Sequence, residues 1–499
     1  EHNSSFRNRR GGEREGVKLR FKRALLINPP SGLYIREERC QVPVKGLSAT
    51  APRPPIDLAY LAAILERKGI ECIIRDYPVE GRGWQALRSD ISSFSPNLLL
   101  VNVTTPTFEL DMKACEIAKK LNPSIITMAK GGHTTVLDEF ALRNHPYLDI
   151  VLRGECEKTI EEIAEDMPLE EIKGITYRED GRIRRNPDRE FIEDLDSLPF
   201  PARHLLNNSL YRRPDTGELQ TTIQTNRGCP GSCVFCLAGK LSGKKLRLRS
   251  PKNIVDEIEE CINRFNIRNF FFRADTFTWR KDWVIEVCRE IIRRGLEIKW
   301  VCNSRVDTLD EDRLKWMKGA GCWLISLGIE SGSQRILDLM KKGITKQQAR
   351  RAIELCKKYK IKTYAFYLFG LPWEREEDIR MTINFALELD ADFAEFHLAV
   401  PFPGTELYEI VSREGLLEGD FQGYDHTFPV ARTFFLTREE LVKWRRRAIY
   451  RFYLRPNYII RTLLHSPSLV SLFNYLRFAF ERLLLFSSSF KRQEKGNDK

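Results

Sequence analysis

"TNRGCPGSCVFC", Thr225 to Cys236, places Cys229, Cys233 and Cys236 at the spacing C-x-x-x-C-x-x-C. Structural zinc takes four protein ligands, commonly as two paired C-x-x-C units, and the next cysteine, Cys261, lies far along on an expected helix. A redox dithiol needs only Cys233 and Cys236, which leaves Cys229 idle. A 4Fe-4S cube has four irons, so three thiolates leave one iron open to a ligand that is not protein. The spacing therefore points to an iron-sulfur cluster with a free coordination position.

Outward from that loop, the chain alternates strand-like and helix-like runs. Thr221–Asn226, Asn269–Ala274, Lys299–Ser304, Trp323–Ile329, Thr363–Gly370 and Phe393–Val400 are apolar strand candidates separated by amphipathic helices. Six β/α units fall short of the eight that close a full barrel. A partial (β/α)6 barrel over residues 221–430 follows, with its working face at the carboxyl ends of the strands. Upstream, residues 24–190 repeat the alternation as a Rossmann-like, doubly wound parallel sheet, and the Pro-rich stretch 191–220 reads as a linker. Residues 1–23 form a basic tail and 431–499 a helical, aromatic region.

The whole chain has 499 residues, 42% hydrophobic and 30% charged, which excludes a wholly disordered protein and predicts more than one domain. Its 12 cysteines are scattered, as in a reducing cytosol, and the polar N-terminus lacks the apolar core of a secretory signal. The sequence opens without Met, as a fragment or processed chain would. Part of the net charge of +12 gathers at the two ends, in Trp444–Arg455 and Phe490–Lys499 among others. No recognition helix or aromatic-basic module accompanies it, so no nucleic-acid partner is expected. Asn474, Arg477, Glu481 and Arg482 interrupt the longest apolar run, which argues against a transmembrane helix. The C-terminal region then reads as a helical cap on the barrel, with a peripheral amphipathic helix as the alternative.

The loop RGCPGSCVFC resembles the signature of the radical S-adenosylmethionine (SAM) superfamily, including the aromatic Phe235 before its last cysteine. That resemblance implies a 4Fe-4S cluster on Cys229, Cys233 and Cys236 whose open iron chelates SAM and, when reduced, cleaves it to a 5'-deoxyadenosyl radical. Asn303–Thr345 and Phe369–Ala386 are similar to the subgroup that also carries an N-terminal cobalamin domain. On the matching positions Phe235, Asp275, Arg305, Glu330 and Gly370 are the SAM-binding expectations. The structural alternatives are an ion pair across the barrel mouth for Arg305 and Glu330 and a helix N-cap for Asp275.

The N-terminal domain looks like the family's cobalamin domain through INPP (Ile27–Pro30), Arg53–Leu65, KGGHTT (Lys130–Thr135) and VLRGECE (Val151–Glu157). Gly131, Gly132, His133, Thr134, Thr135, Gly154 and Glu155 are the cobalamin-binding expectations. In this reading the two glycines clear room for the ring and the threonines bond its polar arms. Two positions depart from the family pattern, Lys130 for a glycine of G-G-x-H and Cys156 for a glycine of R-G-E-G-E. They motivate a cobalamin-free N-terminal domain as the alternative, with an iron-sulfur electron-transfer or scaffold protein more distant. No D-x-H-x-x-G occurs, and His133 is expected to bond backbone rather than cobalt.

The resemblance implies a cobalamin-dependent radical SAM enzyme, of methyltransferase or oxidative cyclase type. It acts at an unactivated carbon of a small-molecule or lipid-like hydrophobic substrate, with a reductant such as flavodoxin or ferredoxin. A cytoplasmic location, peripheral to the inner face of the membrane, completes the expectation.

Overall fold

The computed structural model describes residues 19–37, 40–44, 52–424, 426 and 428–464. The tail up to residue 18, the basic stretch Phe490–Lys499 and the run holding Asn474, Arg477, Glu481 and Arg482 lie outside the described residues.

The first sheet contains β1 (Arg23–Asn28), β4 (Glu71–Asp76), β5 (Leu98–Asn102), β6 (Ile126–Lys130), β7 (Ile150–Leu152), β8 (Ile175–Glu179) and β9 (Arg182–Arg185). A separate hairpin pairs β2 (Tyr34–Glu37) with β3 (Cys40–Pro43). Strand order is β4-β1-β5-β6-β7-β8-β9. The first five in that order run parallel, and β5, with all five residues buried, carries the continuous apolar run of a strand covered on both faces. β8 and β9 add an antiparallel edge that the helix-strand rhythm does not announce. Its signal is the turn Asp180-Gly181, where both residues have positive φ (48° and 77°) as a two-residue hairpin requires.

In this doubly wound order, the direction in which successive strands are added reverses between β1 and β5, although the strands stay parallel. The chain fills that crevice itself. Arg36 on β2 donates to the Asn102 carbonyl (2.9 Å) and pairs with the buried Asp111 (3.0 Å), which also accepts from the amide of Thr104. The open ground at the strands' carboxyl ends is thereby moved towards β6, β7 and the second domain.

The second sheet has six parallel strands in sequence order: β10 (Gln220–Gln224), β13 (Asn269–Arg273), β14 (Lys299–Ser304), β15 (Cys322–Glu330), β16 (Lys362–Phe369) and β17 (Phe393–Leu398). A two-residue ladder of β11 (Asn226–Arg227) with β12 (Arg247–Leu248) frames the cysteine loop. Alternate residues of the strands meet the surrounding helices in one core, where Phe272 stacks on Trp300 (4.5 Å) and the Trp300 indole donates to Ala320 O (2.7 Å).

An open barrel leaves two edges whose backbone groups need partners. At β10, Arg203 from the connecting segment donates to Thr222 O (2.7 Å) and Arg249 to Gln224 O (2.7 Å). At β17, Arg445 donates to Phe396 O (2.7 Å), while Tyr453 Oη donates to Ala394 O (2.6 Å) and accepts from Ala394 N (3.0 Å). Both residues belong to the helix Arg438–Tyr453, which is therefore a cap on the barrel edge. Arg203 and Arg249 share the fully buried Glu257, whose carboxyl burial alone would raise and the two guanidiniums hold low. Replacing Glu257 by Ala leaves two buried cations without a counter-ion, and we expect a loss of about 3–5 kcal/mol in chemical denaturation. Stability unchanged within about 1 kcal/mol would contradict this account of the edge.

Candidate functional site

The cysteine loop leaves β11 through Gly228, whose φ of +90° suits glycine. A Cβ there would stand 2.0 Å from Lys245 O, so only glycine passes the hairpin at this point. The Gly228 amide donates to Asp275 Oδ2 (2.6 Å) and the Cys229 amide to Gly243 O (3.0 Å). Further along, Val234 donates to Met340 O (3.1 Å) and accepts from Leu407 N (2.9 Å). The loop is thus tied to three separate parts of the barrel mouth. Asp275 serves it as an acceptor for a backbone amide, which replaces the helix N-cap alternative.

Cys229, Cys233 and Cys236 are half-buried thiols, and none of the three is in a disulfide. A Cβ added to Gly231 would lie 3.3 Å from Cys229 Sγ, 3.9 Å from Cys233 Sγ and 3.9 Å from Arg305 Nη1. Two of the thiols and a guanidinium therefore face one another over a glycine. Burial raises the Cys233 thiol above its ordinary range, Lys342 and Arg305 act against that rise, and Glu330 and Cys229 add to it. Among the described residues no three His, Cys, Asp or Glu side chains converge as a single ion would need. A cube makes a different demand, since each thiolate serves its own iron. Half-exposed thiols beside two buried cations, around a cradle that a Cβ would narrow, fit such a cluster.

Arg305 and Glu330 do not pair with each other. Arg305 makes a two-point contact with Asp307 (2.9 Å each), donates to Lys342 O (2.9 Å) and lies over the Trp279 ring (5.5 Å). Glu330, held at φ +66°, pairs with Lys342 (2.6 Å). The ion-pair alternative is corrected accordingly, with Asp307 and Lys342 as the partners that spacing did not supply. Gly370 has φ +90° and donates to Glu374 Oε2 (2.6 Å). Glu374 is fully buried, and burial pushes its carboxyl up to about 8.

Between the two domains, at the carboxyl ends of β6 and β7, lies a narrow cleft of about 50 Å³ that is open to solvent. Lys130, Gly154, Glu155 and Cys156 line one side, and Arg273 and Asp275 the other. Asp57 ties the sides together, pairing with Arg273 (2.7 Å) and Lys130 (3.7 Å). Burial alone would raise its carboxyl, but those two cations hold it well below the ordinary range. Both departures from the family pattern line the cleft: Lys130 turns to Asp57, and Cys156 turns its thiol towards Gly154 O (3.2 Å). The charged and polar groups that line this cleft, beside the cysteine loop, are a donor and acceptor set that suits a cofactor with many amide arms.

The KGGHTT motif is less direct. Gly131 (φ +137°) has no Cβ because one would meet Val103 O at 2.1 Å, so this glycine admits the backbone of the chain rather than a ring. Gly132 begins the short helix Gly132–Val136. Thr134 Oγ1 donates to Gly131 O (3.3 Å) and Thr135 Oγ1 accepts from Gly154 N (3.1 Å), so both hydroxyls hold the loops together. His133 is buried against Phe108 (4.2 Å) and Phe421 (4.9 Å), and neither ring nitrogen has a hydrogen-bond partner among the described residues. The expected backbone bond is absent there.

The six parallel strands and the three-cysteine loop define a radical SAM protein with an added Rossmann-like domain. Residues 223–386 match the radical SAM superfamily and residues 45–164 the B12 binding domain. Over 450 residues the chain is 33% identical to an uncharacterized methyltransferase of Pyrococcus horikoshii, covering 89% of this chain and 95% of that one. It is 29% identical over 400 residues to the anaerobic magnesium-protoporphyrin IX monomethyl ester cyclase of Rubrivivax gelatinosus, covering 78% and 72%. The fold matches the cobalamin-dependent SAM radical enzyme OxsB with a TM-score of 0.70 at 17% identity, over 93% of this chain and 72% of that one. The chain belongs to the radical SAM enzymes that carry a B12 binding domain, of the methyltransferase or cyclase type. Its cofactors are a 4Fe-4S cluster, SAM and cobalamin.

Burial, with a smaller push from His145, lowers the His133 imidazole to about 3. The unfolded residue titrates near 6.5, so between these values only the unfolded chain takes the proton, and the fold loses stability as pH falls below about 6.5. At pH 5 the cost is about 2 kcal/mol. His133→Phe should flatten the fall in stability between pH 7.5 and 5 by that amount in urea titrations; a slope equal to that of the unsubstituted protein would contradict a neutral, buried His133.

Proposed function

We propose that Cys229, Cys233 and Cys236 hold the cluster and that Phe235, Asp275, Arg305, Glu330 and Gly370 form the SAM side of the barrel mouth. Cobalamin then lies in the cleft, against Gly154 and Glu155, on a floor shaped by Gly131, Gly132, His133, Thr134 and Thr135. The observation that carries the reading is the position of Asp275, which fastens the cysteine loop through Gly228 and also lines the cleft. When bound, the cluster and SAM supply a 5'-deoxyadenosyl radical that abstracts hydrogen from carbon, and cobalamin supplies methyl transfer or assists the radical chemistry. The chain's own work is to orient and to shelter. Lys342 and Arg305 favour the thiolate state of the loop, Gly231 lets groups approach it closely, and Lys342 fixes the Glu330 carboxylate at the carboxyl end of β15.

The reaction we infer is methylation at an unactivated carbon of a small hydrophobic molecule, with electrons from a flavodoxin or ferredoxin. Phe366 and His397, half-buried and 5.5 Å apart on neighbouring strands, suit a flat apolar substrate. The likeness to the magnesium-protoporphyrin ester cyclase favours oxidative cyclisation as the second reading.

Under reducing, anaerobic conditions the reconstituted protein should form 5'-deoxyadenosine from SAM. Cys229→Ala, Cys233→Ala and Cys236→Ala should each abolish this and the visible absorbance of the cluster, whereas Cys261→Ala, buried on the helix Pro251–Phe265, should retain both. Full activity in any of the first three would defeat the assignment.

A peripheral membrane contact is also proposed. Ile459, Ile460, Leu463 and Leu464 on the helix Pro456–Leu464 are 41–74% exposed, and Arg451, Arg455 and Arg461 stand nearby in the chain. Among the described residues no helix is long and apolar enough to cross a membrane. Vesicles rich in anionic lipid should co-sediment the protein at low salt, and Ile460→Glu with Leu464→Glu should weaken this about tenfold. Equal sedimentation of both proteins, or of neither, would remove the proposal.

A further inference from the structure

Arg227 and Arg247 are directly opposite residues of the β11–β12 ladder, whose two strands contain only two residues each. Like charges at opposed positions push a ladder apart, and two backbone rungs are too few to resist that alone. The ladder matters because Cys229 follows it by two residues. What holds it comes from the other domain. Glu155, on the loop after β7, places Oε1 2.7 Å from Arg247 Nη2 and 3.4 Å from Arg227 Nη1, and Oε2 2.8 Å from Arg247 Nη1. Glu157 pairs with the other side of Arg227. Each of the four side chains is at most 11% exposed, so solvent screens them little. Arg247 is further fixed by donating to Ile192 O and Ser242 O (2.7 Å each), and Glu155 Oε2 accepts the Ile192 amide (2.7 Å). Arg227 is held well above its already high range: burial opposes its charge, but the two carboxylates outweigh burial.

We infer that Glu155 and Glu157 are positioning residues for the cysteine loop, supplied by the cobalamin domain to a frame that the barrel cannot complete by itself. Their loop is also the one that places Gly154 on the cleft. Occupancy of the cleft and geometry at the cluster are therefore coupled through a single buried network. The R-G-E-C-E motif does two things at once: Gly154 to Glu157 line the cleft, and its two acids also reach across the domain boundary to the cluster frame. This inference rests on the functional reading above.

The test compares the full-length reconstituted enzyme with Glu155→Gln/Glu157→Gln and with the conservative Arg247→Lys. Reduced-cluster electron paramagnetic resonance is recorded with and without SAM, and with and without hydroxocobalamin, beside 5'-deoxyadenosine formation. In the unsubstituted enzyme cobalamin should alter the cluster spectrum. In the Gln pair that response should vanish and SAM cleavage should fall about tenfold or more, while iron content and the thermal midpoint stay close to those of the parent. Arg247→Lys, which keeps the charge and loses the fork, should fall between. Cluster spectra, cobalamin response and SAM cleavage all equal to the parent would overturn the inference and leave the enzyme assignment standing. A Gln pair that fails to fold moves the decision to Arg247→Lys, for which a parental spectrum with parental turnover overturns it equally. Absence of a cluster in the unsubstituted protein would instead defeat the functional reading.

Discussion

Buried guanidiniums paired with buried carboxylates are the constraint on which the rest of this structure depends. An incomplete barrel has two free strand edges, and a two-domain enzyme has a boundary at which large cofactors must enter; neither place can be sealed by apolar packing alone. Arg203, Arg249 and Glu257 close the first edge, Arg445 with Tyr453 the last, and Arg227, Arg247 and Arg273 with Glu155, Glu157 and Asp57 the boundary. A buried pair is costly to assemble because both ions lose water, and it adds little net stability over an apolar pair. Its value here is directional. A planar five-donor fork can satisfy a carboxylate and a strand-edge carbonyl together, which no aliphatic side chain can do.

That arrangement also explains where the open cleft lies. The crevice that a doubly wound sheet ordinarily offers, between β1 and β5, is filled by the hairpin carrying Arg36. The remaining opening is the cleft over β6 and β7, and its far wall is the first two strands of the barrel together with Asp275. The proposed placement then sets cobalamin and SAM on opposite sides of one small space, with the cysteine loop fastened to its rim through Asp275.

Much of this was legible before any coordinates. Three cysteines at a fixed spacing after a strand specify a chemistry because few metal centres use three thiolates, and the strand-helix rhythm gives the partial barrel because a six-unit alternation has few other ways to bury its apolar strands. The partners of individual charges were not legible. Arg305 with Asp307 and Glu330 with Lys342 depend on how strand ends splay, and nothing in their spacing distinguishes these pairs from Arg305 with Glu330. Gly131 shows the same limit: its need for glycine is real, but the atom demanding it is Val103 O, 28 residues earlier in the chain. Glu155 could be assigned to the cleft from its motif, whereas its partners Arg227 and Arg247 lie on the other domain, beyond the reach of local pattern.

The most direct test of the account is magnetic. With cobalamin in its cob(II)alamin state and the cluster reduced, both centres are paramagnetic, and their spectra report on each other when they share one cleft. Mutual broadening or splitting of the two signals, lost when either Cys229 is replaced or cobalamin is omitted, is the predicted result. Two signals that add as if from separate molecules, with cobalamin demonstrably bound, would contradict the placement of both cofactors at the domain boundary.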